Sequence, residues 1–258
     1  MKLKSFNWKY WAAKTIQVLV NLAKRQMLVP MPIQSFNFEV TRRCNGRCTY
    51  CNIWRTPSRV EDELKPDEVR ELLKPRKLFA SVSTIGVTGG EPFLRRDLVE
   101  LCQALKEVCP NARIGLVTNG LLPGLVENTV RRILTEVCSD VSCGVSIDGF
   151  PAADGYTRGD VNHYRLAWET ARRLRRLGVA MGIGSTLVDA NIDEALEFKR
   201  FVQSLGYDYA FEIASTSPHY YKNEELETLK RKHLSTIERL AREGKTTFQY
   251  YQPTYFET

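Results

Sequence analysis

The chain has 258 residues, 43% of them hydrophobic and 26% charged, which excludes a disordered polymer and allows one large α/β domain or two small ones. No apolar run approaches the ~20 residues of a membrane span, and the opening residues do not read as a secretory signal. Six basic residues, Lys2, Lys4, Lys9, Lys14, Lys24 and Arg25, precede the first acid, Glu39; setting them aside leaves 31 of the 37 basic residues against 30 acidic ones, so no basic groove for nucleic acid is expected.

Residues 1–30 read as a basic amphipathic helix. Trp8, Trp11, Thr15, Val18, Leu19 and Leu22 recur at helical spacing, and Pro30 and Pro32 end the segment. Two roles suit it: peripheral contact of residues 1–26 with an anionic membrane surface, or packing on the body of the domain.

Strands and helices then alternate. Strands are predicted at 35–40, 82–90, 113–120, 141–149, 179–188 and 209–214, and helices at 66–75, 95–109, 124–137, 164–178, 192–206 and 223–243. Six β/α steps imply a parallel sheet. Polar or glycine motifs close most strands, as at the rim of a barrel or partial barrel. The expected division is the amphipathic segment, a core barrel over 31–220, and a C-terminal helix and tail over 221–258.

The first strand runs into Cys44, Cys48 and Cys51, spaced C-x3-C-x2-C with no fourth ligand nearby. A structural zinc usually takes four ligands. Three thiolates on a tight loop suit an iron–sulfur cluster with one iron left open for something that reacts. Cys102 and Cys109 lie seven apart on a predicted helix and read as small apolar residues; Cys138 and Cys143 flank a strand start. An odd count of seven cysteines points to a reducing, cytoplasmic compartment rather than a disulfide framework.

"CNGRCTYC" resembles the cysteine motif of the radical S-adenosylmethionine enzymes, with Tyr50 as its aromatic residue. "GGEP" at 89–92 is similar to their second hallmark. "TNG" at 118–120 and "SIDG" at 146–149 are similar to later strand ends of the branch holding molybdenum-cofactor cyclase, SPASM-type peptide-modifying enzymes and anaerobic sulfatase maturases. The resemblance covers about residues 35–215 and implies an α/β fold, a partial (β/α)6 TIM-like barrel.

It also implies that Cys44, Cys48 and Cys51 ligate three irons of a 4Fe–4S cluster, the fourth chelating S-adenosylmethionine. Gly89, Gly90 and Glu91 would hold the methionine ammonium, a carboxylate pairing with a cation. Ser146 would contact the ribose or carboxylate. Asp148 would touch the ligand or fix its turn. Arg158 would reach the carboxylate or form a surface ion pair; relatives often carry His-Asp shortly before this Arg, where this chain has Asp154-Gly155. Asn119 and Thr186 would touch the cosubstrate or cap their own elements.

The implied reaction is reductive cleavage to a 5′-deoxyadenosyl radical, which abstracts hydrogen from a substrate. An electron donor such as flavodoxin or ferredoxin is implied with it. Three functions are weighed: modification of a peptide or protein, action on a membrane lipid or isoprenoid, and a non-enzymatic electron carrier. His219 and Tyr220 follow the last strand and could reach a substrate. No cysteine follows Cys143, so an auxiliary cluster would need a region beyond this sequence.

Overall fold

The computed structural model describes residues 33–74, 76–217, 221, 223 and 233–242. Six strands, β1 (Ser35–Thr41), β2 (Thr84–Gly89), β3 (Arg113–Thr118), β4 (Val141–Ser146), β5 (Ala180–Leu187) and β6 (Asp208–Ile213), pair in chain order. Every pair is parallel. The helices are α1 (Pro66–Leu72), α2 (Arg76–Phe79), α3 (Leu98–Val108), α4 (Pro123–Glu136), α5 (Pro151–Arg158), α6 (His163–Arg176), α7 (Ala195–Ser204) and α8 (Leu234–Arg242). Among the described residues β1 does not pair with β6, so the sheet is open, as in a partial barrel.

Side chains alternate across each strand. In β4, Val141, Cys143 and Val145 are buried, while Ser142, Gly144 and Ser146 are half-buried. The buried set of every strand packs outward beneath the helices. There Ile85, Ile114 and Leu116 meet Leu101, Leu105, Ile133 and Leu174 in one core, each such side chain contributing about 1.5–3 kcal/mol. Cys102, Cys109 and Cys143 belong to this core, as their reading as small apolar residues requires for the first two.

The lumen face is different. Gly86 pairs with Gly115, Gly144 with Gly182, and Ser146 with Gly184. A closed eight-stranded barrel fills its interior with layers of branched side chains. Here the wall is largely bare: a Cβ at Gly184 would meet nothing within 4 Å, and Val117 is 43% exposed.

Several boundaries move. The helix predicted over 66–75 ends at Leu72, and the one predicted from 95 starts at Leu98, because Arg95 is drawn back to the carbonyls of Val40 and Leu64. Helix α5 was not foreseen. Pro151 opens it and Gly159, at φ +70°, closes it, the pairing of Pro at a helix start with Gly at its end. The N-terminal amphipathic helix, His219 and Tyr220 lie outside the described residues. No described helix is long and apolar enough to cross a membrane.

Candidate functional site

The cysteine loop leaves the C-terminal end of β1 and is tied down on three sides by backbone. Gly90 donates its N–H to the Thr41 carbonyl at 2.7 Å, and Glu91 donates to that of Arg43 at 2.8 Å. Thr49 donates to the Thr157 carbonyl of α5 at 2.8 Å. Asn223 donates its amide to the Tyr50 carbonyl at 2.7 Å. Before the thiols, Glu63 clamps Arg43 through two bonds of 2.9 Å and accepts from Ser58 and Thr41. Burial pushes the Glu63 carboxyl up, but these donors outweigh it and hold it at about 2.

The glycines at 89 and 90 serve this packing. A Cβ on Gly89 would stand 2.2 Å from the Thr41 carbonyl oxygen, and one on Gly90 would stand 2.3 Å from that of Arg43. The close approach expected from a ligand is therefore made by the chain's own backbone.

The three thiols are half-buried and free. Among the described residues no three His, Cys, Asp or Glu side chains gather around a point as a single metal ion requires. Two of them flank Gly46: a Cβ there would stand 3.5 Å from the Cys44 sulfur and 3.8 Å from that of Cys48. Burial pushes Cys44 and Cys51 up to about 11 and raises Cys48. Thiolates there call for a cation that a bound metal supplies. This donor set fits a polynuclear iron–sulfur cluster.

The later strand ends supply a buried polar ring. Glu91, only 1% exposed, accepts from Phe93 N–H at 3.2 Å, Thr118 Oγ1 at 3.0 Å and Asn119 N–H at 2.7 Å. Burial outweighs these donors and raises its carboxyl to about 7. Asn119 turns its amide toward Asn45 Oδ1 at 2.8 Å and Cys44 Sγ at 3.8 Å.

Asp148 is fully buried. It accepts from Tyr50 Oη at 3.0 Å, from the Thr186 N–H at 2.8 Å and from Arg158. Arg158 is 7% exposed, so a surface ion pair does not describe it. Its other terminal nitrogen lies 3.9 Å from Cys48 Sγ, and its buried Nε has no partner among the described residues. Ser146 ends β4 on the lumen face. Thr186 donates to Glu212 on the neighbouring strand. Glu212 is exposed on the lumen side of β6, and partial loss of water around its carboxyl raises it.

Sequence reasoning missed four members of this arrangement. Asn191 joins the ends of β4 and β5 by donating to the carbonyls of Asp148 and Thr186 and accepting from Val188 N–H. Asn223 supports the cysteine loop. Asp154 and His163 link the turns after β3 and β4: Asp154 accepts from Asp148 N–H at 2.8 Å and meets His163 Nδ1 at 2.6 Å, while His163 Nε2 lies 2.8 Å from the Asn119 carbonyl. The signal for His163 was its place on the same helix face as Ala167, Thr170 and Leu174, all buried.

Three neighbouring thiols at the mouth of a parallel barrel now stand beside the match of residues 38–202 to the family model described as the radical SAM superfamily. The chain belongs to the radical SAM superfamily. That family uses a 4Fe–4S cluster and S-adenosylmethionine. The pre-heme d1 synthase of Dinoroseobacter shibae is 30% identical over 179 residues, covering 69% of this chain and 42% of that protein. The GTP 3′,8-cyclase of Aquifex aeolicus is 30% identical over 194 residues, covering 70% and 56%. This radical SAM chain thus spans about half the length of such relatives. Among solved structures, Streptococcus suis SuiB bound to S-adenosylmethionine superposes with a TM-score of 0.64 at 16% identity, over 93% of this chain and 54% of SuiB. That likeness concerns the fold.

Proposed function

We propose that this chain is the barrel of a radical SAM enzyme that takes hydrogen from a peptide or protein substrate. The observation that carries the substrate class is the lumen. Its described wall is bare glycine at 115, 144, 182 and 184 with Val117 open between them. Toward the mouth stands the Glu212 carboxyl, while Glu39 is paired with Arg42. A lone acid above small residues favours a neutral or cationic side chain over a polyanion. The SuiB fold accommodates a peptide, since SuiB has been crystallised with the precursor peptide SuiA.

In this reading Cys44, Cys48 and Cys51 hold the cluster. The chemistry that cluster and cosubstrate supply when bound is one-electron cleavage of the sulfonium, fed by a protein donor, and hydrogen-atom abstraction. Gly89, Gly90 and Glu91 receive the ammonium end of the cosubstrate. The unspent Nε–H of Arg158 donates to its carboxylate, which accounts for a buried donor otherwise left bare. Asn119, Ser146 and Thr186 contact its remaining polar groups, while Asp148 holds Arg158 in place.

The test is anaerobic reconstitution of the full chain with iron, sulfide, reductant and S-adenosylmethionine, following 5′-deoxyadenosine. Lysine-rich peptides are expected to accelerate its release, whereas GTP and coproporphyrin are not. Faster release with either anion than with any peptide sinks the substrate class. No 5′-deoxyadenosine from a fully loaded cluster sinks the enzyme reading itself.

A further inference from the structure

The buried pair of His163 and Asp154 poses a question of proton inventory. Both side chains are sealed, at 1% and 0% exposure, so water cannot complete their hydrogen bonding. His163 Nε2 sits 2.8 Å from the Asn119 carbonyl oxygen. A carbonyl only accepts, so Nε2 must carry hydrogen. His163 Nδ1 sits 2.6 Å from Asp154 Oδ2, which accepts when ionised. One proton more than a neutral imidazole and a carboxylate contain is needed to make both contacts.

Its place follows from the neighbours. Asp154 Oδ1 already accepts the Asp148 N–H at 2.8 Å, and the Arg158 guanidinium interacts electrostatically with Asp154. Both neighbours suit a carboxylate that accepts at each of its oxygens. The extra proton therefore belongs on the ring.

We propose that His163 is a doubly protonated imidazolium that locks the TNG turn to the SIDG turn and so positions the outer partners of two cluster thiols. On one side it holds the Asn119 peptide, whose N–H is bound by Glu91 and whose amide reaches Cys44. On the other it holds Asp154, which fixes Asp148, which holds Arg158 against Cys48. Thr170, two turns along the same helix, donates to the Gly120 carbonyl at 2.7 Å and keeps the helix against the turn. With Asp154 as the partner, an imidazolium binds two acceptors that a neutral ring cannot satisfy together. The positioning role rests on the cluster reading above; the protonation state does not.

The experiment has two arms on the full-length chain. Nitrogen-15 NMR of histidine-labelled protein at neutral pH reads each ring nitrogen directly. Hydrogen on both His163 nitrogens is expected, and hydrogen on Nε2 alone overturns the proposal whether or not a cluster is present. Asp154→Asn is the control. Its carboxamide can accept from Asp148 N–H and donate to a neutral Nδ1, so every contact survives and only the second ring proton is expected to vanish.

The other arm uses reconstituted enzyme. His163→Phe leaves the three cysteines untouched, yet it is expected to shift the electron paramagnetic resonance of the reduced cluster and to raise the dissociation constant for S-adenosylmethionine roughly tenfold, the loss of one charged hydrogen bond. Asp154→Asn is expected to keep affinity closer to wild type. A His163→Phe enzyme with wild-type spectrum and affinity overturns the positioning role. If His163→Phe fails to fold, Asp154→Asn and the wild-type spectrum still decide the charge.

Discussion

Arg158 joins Asp148 to Cys48: one guanidinium nitrogen lies 2.5 Å from the carboxylate and the other 3.9 Å from the sulfur. A cation beside a ligating thiol favours the reduced state of whatever metal that thiol holds. The same cation neutralises a carboxylate that has no access to water.

Replacing Arg158 by Met therefore has two expected effects. Asp148 is left as a buried unpaired charge, costing about 3–5 kcal/mol of unfolding free energy in urea titration. The double variant with Asp148→Asn recovers part of that loss, because the uncompensated charge goes with it. In reconstituted protein the cluster potential falls, read by an electron paramagnetic resonance redox titration. An unchanged potential would disconnect Arg158 from the cluster.

Glu91 gives the chain a pH dependence of defined sign. Its ordinary value of 4.5 rises to about 7 on folding. The folded chain therefore holds this proton more tightly than the unfolded chain does. The resulting stability is fully present below 4.5 and is lost as pH climbs through 7. Glu91→Gln should abolish this component of the slope in metal-free protein. It should also lower stability across the range by about 1–3 kcal/mol, since an amide nitrogen would face the Asn119 N–H. Urea midpoints across the window compare the two chains.

Two glycines separate scaffold from lumen. Gly90→Ala drives a methyl into the Arg43 carbonyl and should cost about 1–3 kcal/mol along with iron content. Gly184→Val meets open space on a strand, where a β-branched residue is well suited. Its cluster and affinity for S-adenosylmethionine should match wild type, while substrate-stimulated 5′-deoxyadenosine release drops. Iron assay, thermal melts and turnover distinguish the pair.

Asn223 lies 173 residues from the Tyr50 carbonyl it holds and also accepts from Ser217 N–H. Asn223→Ala removes the bond to the buried Tyr50 carbonyl, at a cost of about 1–3 kcal/mol. Faster hydrogen exchange in residues 48–53, with the barrel strands unchanged, is the expected readout.

The parallel alternation was legible because each strand carries its apolar set at period two and each helix at period three to four. The cysteine triad stood out because its three thiols lie within eight residues. Glu63, Asn191 and Asn223 did not, because each acts on carbonyls or donors that only the folded chain brings near it. At the glycines 89 and 90 the group that approaches closely is the chain's own backbone, which the motif alone did not reveal. Helix α5 escaped because its short run, with Gly155 inside it, has too few apolar positions to show a period, although its Pro and Gly ends were in view.

The cysteine loop hangs from peptide groups of Gly90, Glu91, Thr49 and Asn223's amide, none of which is a metal ligand. Its curvature is consequently carried by bonds of the polypeptide itself. Assembly of the cofactor then resembles filling a cast more than tying a knot, and an emptied protein should accept a new inorganic core without having to refold.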